Sequence, residues 1–94
     1  MPEIVRQVTV SNKMGIHARP STQIATLAGE FSSSVTIGKE ELNVDAKSVL
    51  ELLMLAAECG SVLTITADGD DAQAAVDAIV ELVESKFGEL DVDG

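Results

Sequence analysis

Short β-branched segments alternate with segments of helical spacing in this chain of 94 residues, and this alternation constrains the fold more than any other feature. Four segments are rich in Val, Ile, Leu and Thr and are bounded by turn residues, which predicts strands at 4–10, 35–37, 42–44 and 62–67. The second and third segments flank a Gly-Lys-Glu-Glu sequence, whose composition is typical of a hairpin with a short polar turn. We therefore expect four strands, two of them joined directly.

Helices are predicted between these strands. The first begins near Pro20, because proline lacks the N–H that a first turn leaves unused, and its apolar residues recur at helical spacing as far as Phe31. The second begins at Ser48, since Ser48 and Glu51 have the spacing of a capping box. Its apolar run is expected to stop at Gly60, because glycine suits a C-terminal cap.

A last helix is predicted from Asp70 and Gln73, with an apolar stripe that extends to Phe87. The element order is then βαββαβα. Helices that each bury one apolar stripe pack on one face of a sheet, so we predict an α+β fold in which three helices cover a largely antiparallel four-stranded sheet. Residues 1–88 are assigned to this single domain, and residues 89–94 to an acidic C-terminal tail that we expect to be disordered.

Composition excludes several classes of partner. The net charge of −10 opposes binding to nucleic acid or to anionic membranes, which usually requires a basic patch. Cys59 is the only cysteine, so the chain has no intramolecular disulfide, and no metal or other cofactor is expected. The N-terminus lacks a basic stretch followed by an apolar run, so we expect a cytoplasmic protein without membrane insertion. We also expect it to be a monomer.

His17 is the only histidine, and it lies where a loop is predicted to give way to the first helix. A helix start offers unpaired backbone N–H groups and positive dipole potential, and both favour an anion. A phosphoryl group carried on His17 would be such an anion. The chemistry of the chain is therefore expected to centre on this imidazole.

The sequence Gly-Ile-His-Ala-Arg-Pro at residues 15–20 resembles the active-site motif of the phosphocarrier protein HPr family, part of the bacterial phosphoenolpyruvate-dependent phosphotransferase system. Residues 46–50, Ala-Lys-Ser-Val-Leu, resemble the second signature of that family. The spacing and the element order also match, so the resemblance covers essentially the whole chain. It implies an open-faced sandwich whose His17 receives a phosphoryl group from phospho-enzyme I and passes it to an enzyme IIA component in sugar uptake. The protein would then be a covalent carrier and not itself an enzyme.

Chemical reasoning agrees with this role for His17. A neutral imidazole is a nucleophile near pH 7, and phosphoryl transfer depends mainly on positioning. We expect Nδ1 of His17 to face the backbone N–H groups of Ala18 and Arg19, which could bind phosphoryl oxygens. The Arg19 guanidinium would neutralise charge in the transition state. The catalytic residues are thus predicted to be His17 and Arg19.

Two further sites have competing interpretations. Ser48 is explained as a helix N-cap, but by resemblance it also matches a serine that a dedicated kinase phosphorylates in some bacteria. An apolar patch beside His17 resembles the family's docking surface for enzyme I and enzyme IIA, although its helical members could equally be core residues. The residues of this patch are Ile16, Val49, Leu50 and Leu53.

Three alternatives to a sugar-uptake carrier remain open. The segment 52–57 is closer to nitrogen-regulatory relatives, whereas Lys47 and Ser48 are closer to sugar-type members. A non-catalytic α+β interaction module would use the apolar patch and leave His17 idle. A hydrolase is the third, but the local motif contains no carboxylate to orient the imidazole.

Overall fold

A computed structural model describes residues 3–89 of the protein. Within this range four strands and three α-helices follow one another, and a short 3-10 helix, Lys86–Gly88, closes the described chain. The elements are β1 (Glu3–Thr9), α1 (Ala18–Ala28), β2 (Ser34–Lys39), β3 (Leu42–Asp45), α2 (Val49–Met54), β4 (Val62–Asp68) and α3 (Ala72–Glu84).

The strands form one sheet in the order β1-β4-β2-β3, and each neighbouring pair is antiparallel. The helices cover one face of this sheet, while side chains such as Val5 and Val62 on the other face are about half exposed, at 52% and 50%. This arrangement is an open-faced sandwich, so the predicted α+β fold and its βαββαβα order are confirmed.

The core lies between the sheet and the helices. Alternate strand residues point into it, including Ile37, Leu63 and Ile65, all fully buried. Helix α3 contributes the longest buried stripe, and α2 contributes only Leu52. Burial of one such side chain contributes roughly 1.5–3 kcal/mol, so α3 anchors the helical layer more strongly than α2 does.

Helix α2 is shorter than predicted, because it ends at Met54 and does not continue to Gly60. Ala56 adopts a left-handed backbone with φ of +49°, and Nζ of Lys39 donates to the carbonyl oxygens of Leu55 and Ala56 at 3.2 and 3.1 Å. The chain then pairs with the residue that follows β1, where Gly60 N–H donates to the carbonyl of Val10 at 2.8 Å. These long-range contacts end the helix.

Helix α3 also differs from the prediction at both ends. Asp71, and not Asp70, occupies the N-cap position, and its carboxylate accepts hydrogen bonds from the Ser33 hydroxyl and from the backbone N–H groups of Ser32 and Ser33. Those donors, the Ser33 hydroxyl first, lower the pKa of Asp71 to about 2. At the other end the helix stops at Glu84, and Phe87 enters the core from the 3-10 turn.

No helix between residues 3 and 89 has the length and apolar character needed to cross a membrane. Of the predicted acidic tail, residues 90–94 lie outside the described residues. Glu89 lies within them, with its side chain 20% exposed. Its surroundings are part of the candidate site.

Candidate functional site at the start of helix α1

The loop before α1 is held by the backbone of residues 57 and 58. Gly15 N–H donates to the carbonyl of Asn12 at 3.1 Å, and Ile16 N–H donates to the carbonyl of Ala57 at 2.9 Å. Gly15 has φ of +72°, and a Cβ there would collide with the carbonyl oxygen of Ala57 and lie 2.9 Å from Cα of Glu58. A glycine is therefore needed both for the turn and for this close approach.

His17 occupies the N-cap position of α1 with an extended backbone, φ −94° and ψ −164°. Its carbonyl accepts the Ser21 N–H at 3.0 Å, but its side chain makes no capping hydrogen bond to the helix. The imidazole is instead 39% exposed. The first turn of a helix leaves its N–H groups without intrahelical acceptors. Those of Ala18 and Arg19 have no acceptor anywhere in residues 3–89, so they are available to an anion beside the ring.

Arg19 is exposed in the first turn of α1, two residues from His17. Its guanidinium forms no ion pair or hydrogen bond with the part of the chain that the structure describes. Its charge is therefore free to act on a group bound at the helix start. His17, Ala18 and Arg19 lie together at the helix start, as predicted.

A carboxylate remote in sequence contacts the imidazole. Oε2 of Glu89 lies 3.0 Å from Nε2 of His17, although the two residues are 72 positions apart. The second oxygen of Glu89 accepts a hydrogen bond of 3.3 Å from Nδ2 of Asn12, which also donates to the carbonyl of Gly15 at 2.7 Å. Sequence reasoning missed Glu89, since the acidic run at 89–93 has the pattern of a solvated tail.

Ser48 is the N-cap of α2, as predicted, and its hydroxyl accepts the Glu51 N–H at 3.2 Å. The reciprocal half of the capping box is not formed. Oε1 of Glu51 instead accepts the backbone N–H of Asp45 at 3.0 Å. The serine side chain is half-buried, and its role in helix stability accounts for the contact that the structure shows.

Four apolar side chains stand exposed on α2 and on the loop before α1. The apolar patch that the structure shows is made of these four residues, Met14, Leu50, Leu53 and Met54, with exposed fractions of 69%, 76%, 39% and 65%. Only Leu50 and Leu53 belong to the patch predicted from the sequence. Helix α2 packs against α1, and the loop carrying Met14 adjoins the segment that follows α2. The two methionines were not among the residues predicted from the sequence.

The other predicted docking residues are placed differently. Val49 is half-buried, and Ile16 is only 5% exposed and packs in the hydrophobic core. The expectation that Ile16 offers a docking surface is therefore not met, because its side chain fills the space beneath the loop. Between residues 3 and 89 no three His, Cys, Asp or Glu side chains group where they could hold a metal ion.

Comparison with known proteins shows a family relationship over most of the chain. The family model for the HPr component phosphorylation site of the phosphotransferase system matches residues 4–85. Phosphocarrier protein NPr of Shewanella violacea is 48% identical over 89 residues, which cover 95% of this chain and 98% of that protein. Phosphocarrier protein HPr of Cupriavidus necator is 45% identical over 84 residues, covering 89% and 94% of the two chains.

A solved structure shows the same architecture. The crystal structure of HPr-C-His from Thermoanaerobacter tengcongensis superimposes with a TM-score of 0.87 at 39% identity, covering 96% of this chain and 99% of that one. Sequence motif, fold and element order thus agree over nearly the whole chain. This protein belongs to the HPr family of phosphocarrier proteins of the phosphotransferase system.

Proposed function

We propose that this protein accepts a phosphoryl group on Nδ1 of His17 from phospho-enzyme I and passes it to an enzyme IIA component. The observation that carries the proposal is the half-exposed imidazole at the open N-terminus of α1, beside two backbone N–H groups without acceptors. Membership of the HPr family supports the same chemistry. The phosphoryl group comes originally from phosphoenolpyruvate, and we propose the cytoplasm as the location.

In this mechanism the lone pair of Nδ1 attacks phosphorus, the P–N bond of the donor phosphohistidine breaks, and the donor nitrogen keeps the electron pair of that bond. Negative charge on the equatorial oxygens is stabilised by the N–H groups of Ala18 and Arg19 and by the Arg19 guanidinium. The same contacts serve the reverse step toward enzyme IIA. Because the site supplies positioning and charge, transfer can proceed in either direction between matched histidines.

The apolar patch is the proposed docking surface for both partners. Leu50 and Leu53 belong to the surface inferred from the resemblance, and Met14 and Met54 extend it. Several exposed apolar side chains on one surface are typical of a protein contact site, and methionine adapts to more than one partner. We propose that the protein docks as a monomer and presents His17 at the edge of this patch.

Regulation at Ser48 is a further part of the proposal. A phosphate on the Ser48 hydroxyl would lie at the start of α2, two residues before Leu50 of the apolar patch. It would place negative charge where an apolar partner surface has to approach. A serine kinase is therefore proposed as a third partner.

The sugar-uptake branch is the first candidate role, and nitrogen regulation is the second. The 48% identity to an NPr and the 45% identity to an HPr support both. The two roles differ in the enzyme IIA that accepts the phosphoryl group. Transfer rates from the phosphorylated protein to a sugar-specific enzyme IIA and to a nitrogen-regulatory one, measured side by side, distinguish them.

The decisive experiment is incubation with enzyme I and phosphoenolpyruvate. A carrier gains an acid-labile, base-stable phosphate, and His17→Ala abolishes this gain while circular dichroism shows an intact fold. Label retained in that variant would refute the assignment of His17. A protein that gains no phosphate would be an interaction module or a hydrolase instead.

A further inference from the structure

Glu89 contacts Nε2 of His17, the ring nitrogen that the proposed transfer does not use. Oε2 of Glu89 lies 3.0 Å from Nε2, whereas Nδ1 has no hydrogen-bond partner within residues 3–89. An ionised carboxylate can only accept hydrogen bonds. Nε2 must therefore carry the proton of a neutral ring, and Nδ1 is left with the lone pair.

The carboxylate is itself held in place. Nδ2 of Asn12 donates to Oε1 of Glu89 at 3.3 Å and to the carbonyl of Gly15 at 2.7 Å, and Asn12 is fully buried. Both neighbours of this amide are acceptors, so its NH2 group has to face them. One buried side chain thus ties Glu89 to the loop that carries His17.

The chain before Glu89 adds a second restraint. Phe87 is 3% exposed in the core, and Glu89 N–H donates to the carbonyl of Lys86 at 2.9 Å. The position of Glu89 therefore follows from contacts that do not involve His17. A partner that is fixed independently of the ring can orient it before a donor arrives.

We propose that Glu89 is a positioning residue that holds His17 in the tautomer with the proton on Nε2 and so presents Nδ1 as the nucleophile. This role rests on the proposed function of His17 as a phosphoryl acceptor. In the transfer step Nδ1 forms the bond to phosphorus and Nε2 keeps its proton, so the phosphorylated ring carries a positive charge. The Glu89 carboxylate then lies opposite that charge and neutralises it.

The tautomer can be measured without any phosphoryl transfer. His17 is the only histidine, so the two imidazole 15N resonances of labelled protein are unambiguous. At a pH where the ring is neutral, we expect the shifts of a protonated Nε2 and an unprotonated Nδ1. In Glu89→Ala both tautomers become accessible, and the two shifts are expected to move toward each other. Glu84→Ala is the matched control, since Glu84 is exposed on α3 and its carboxylate forms no hydrogen bond or ion pair within residues 3–89.

The same variants are then phosphorylated by enzyme I and phosphoenolpyruvate. In metal sites, removal of a carboxylate that orients a ligating histidine typically costs about 10- to 100-fold in affinity or activity, and we expect Glu89→Ala to slow acceptance by a similar factor. Glu89→Gln keeps the size of the side chain but not its charge, so acceptance is again expected to be slower than in the unmodified protein. Glu84→Ala should leave the rate unchanged.

Two results would overturn the role of Glu89. Identical 15N shifts in Glu89→Ala and the unmodified protein would show that the carboxylate does not set the tautomer. Altered shifts with an unchanged transfer rate would show that the tautomer does not limit the reaction. If instead the unmodified protein accepts no phosphoryl group while its 15N shifts depend on Glu89, the proposed function of His17 fails, and with it the catalytic meaning of this contact.

Discussion

Substitution of Gly15 by alanine should damage stability and phosphoryl acceptance together. Gly15 has φ of +72°, which an alanine adopts at a cost of about 1–2 kcal/mol. Its Cβ would also collide with the backbone of Ala57 and Glu58, which are not flexible side-chain ends. Moving the loop away breaks the hydrogen bond from Ile16 N–H to the Ala57 carbonyl, worth roughly 0.5–1.5 kcal/mol.

Together these effects predict a loss of about 3 kcal/mol in the free energy of unfolding of Gly15→Ala. For a domain of this size that corresponds to a fall of roughly 12–24 °C in the melting temperature. Denaturant titration and calorimetry measure both quantities. Acceptance from enzyme I should fall as well, because the displaced loop carries His17.

Gly88→Ala is the matched control for backbone strain in Gly15→Ala. Gly88 has nearly the same φ, +73°, but a Cβ there meets nothing within 4 Å. The two variants therefore share the strain, and only Gly15→Ala adds the collision and the lost hydrogen bond. A loss of stability in Gly15→Ala no greater than in Gly88→Ala would refute the argument that close backbone contact holds the loop that carries His17.

Three further predictions concern the apolar patch, the N-cap of α2 and the N-cap of α3. Leu50→Ala should change the unfolding free energy by less than about 0.5 kcal/mol and slow transfer, whereas Leu52→Ala should cost about 2–5 kcal/mol, because Leu50 is 76% exposed and Leu52 fully buried. Denaturant titration measures the stability effect, and enzyme I kinetics measure the transfer effect. A large loss of stability in Leu50→Ala with little loss in Leu52→Ala would contradict the assignment of Leu50 to the surface and Leu52 to the core. Ser48→Asp should keep the melting temperature nearly unchanged, since Asp caps as well as Ser, and should slow acceptance from enzyme I; equal kinetics would leave Ser48 a cap only. Asp71 stabilises the fold fully above its ordinary pKa of 3.8, and this contribution should be lost as the pH falls toward its folded pKa of about 2. Unfolding free energies measured between pH 5 and about 2 should therefore decline less steeply in Asp71→Ala than in Asp70→Ala, and equal slopes would contradict the assignment.

The order of elements was predictable because local patterns and the core agree for β1, β2, β4 and α3. The fold buries most of the apolar residues in these patterns, whereas Val5 in β1 and Val62 in β4 lie on the open face of the sheet. The end of α2 was not predictable in this way. Residues 52–57 are strong helix formers, yet the helix stops at Met54. The next three carbonyls accept hydrogen bonds from elsewhere: those of Leu55 and Ala56 from Lys39, and that of Ala57 from the loop before α1. Those partners lie far away in sequence.

The candidate site also combines residues that are adjacent in sequence with one that is remote. His17 and Arg19 share one helix turn, so a short motif is sufficient to place them beside the same backbone N–H groups. Glu89, the residue proposed to orient the ring, is 72 positions away in sequence. It was not predicted, because an acidic run of this kind is the usual pattern of a solvated tail. Phe87 was the available signal that the chain is still packed near Glu89, because a large apolar residue favours burial. Phe87 is buried in the structure, and Glu89, two residues later, lies beside His17 at the start of α1. A motif thus identifies the proposed phosphoryl acceptor, while its proposed orientation depends on a contact that only the folded chain creates.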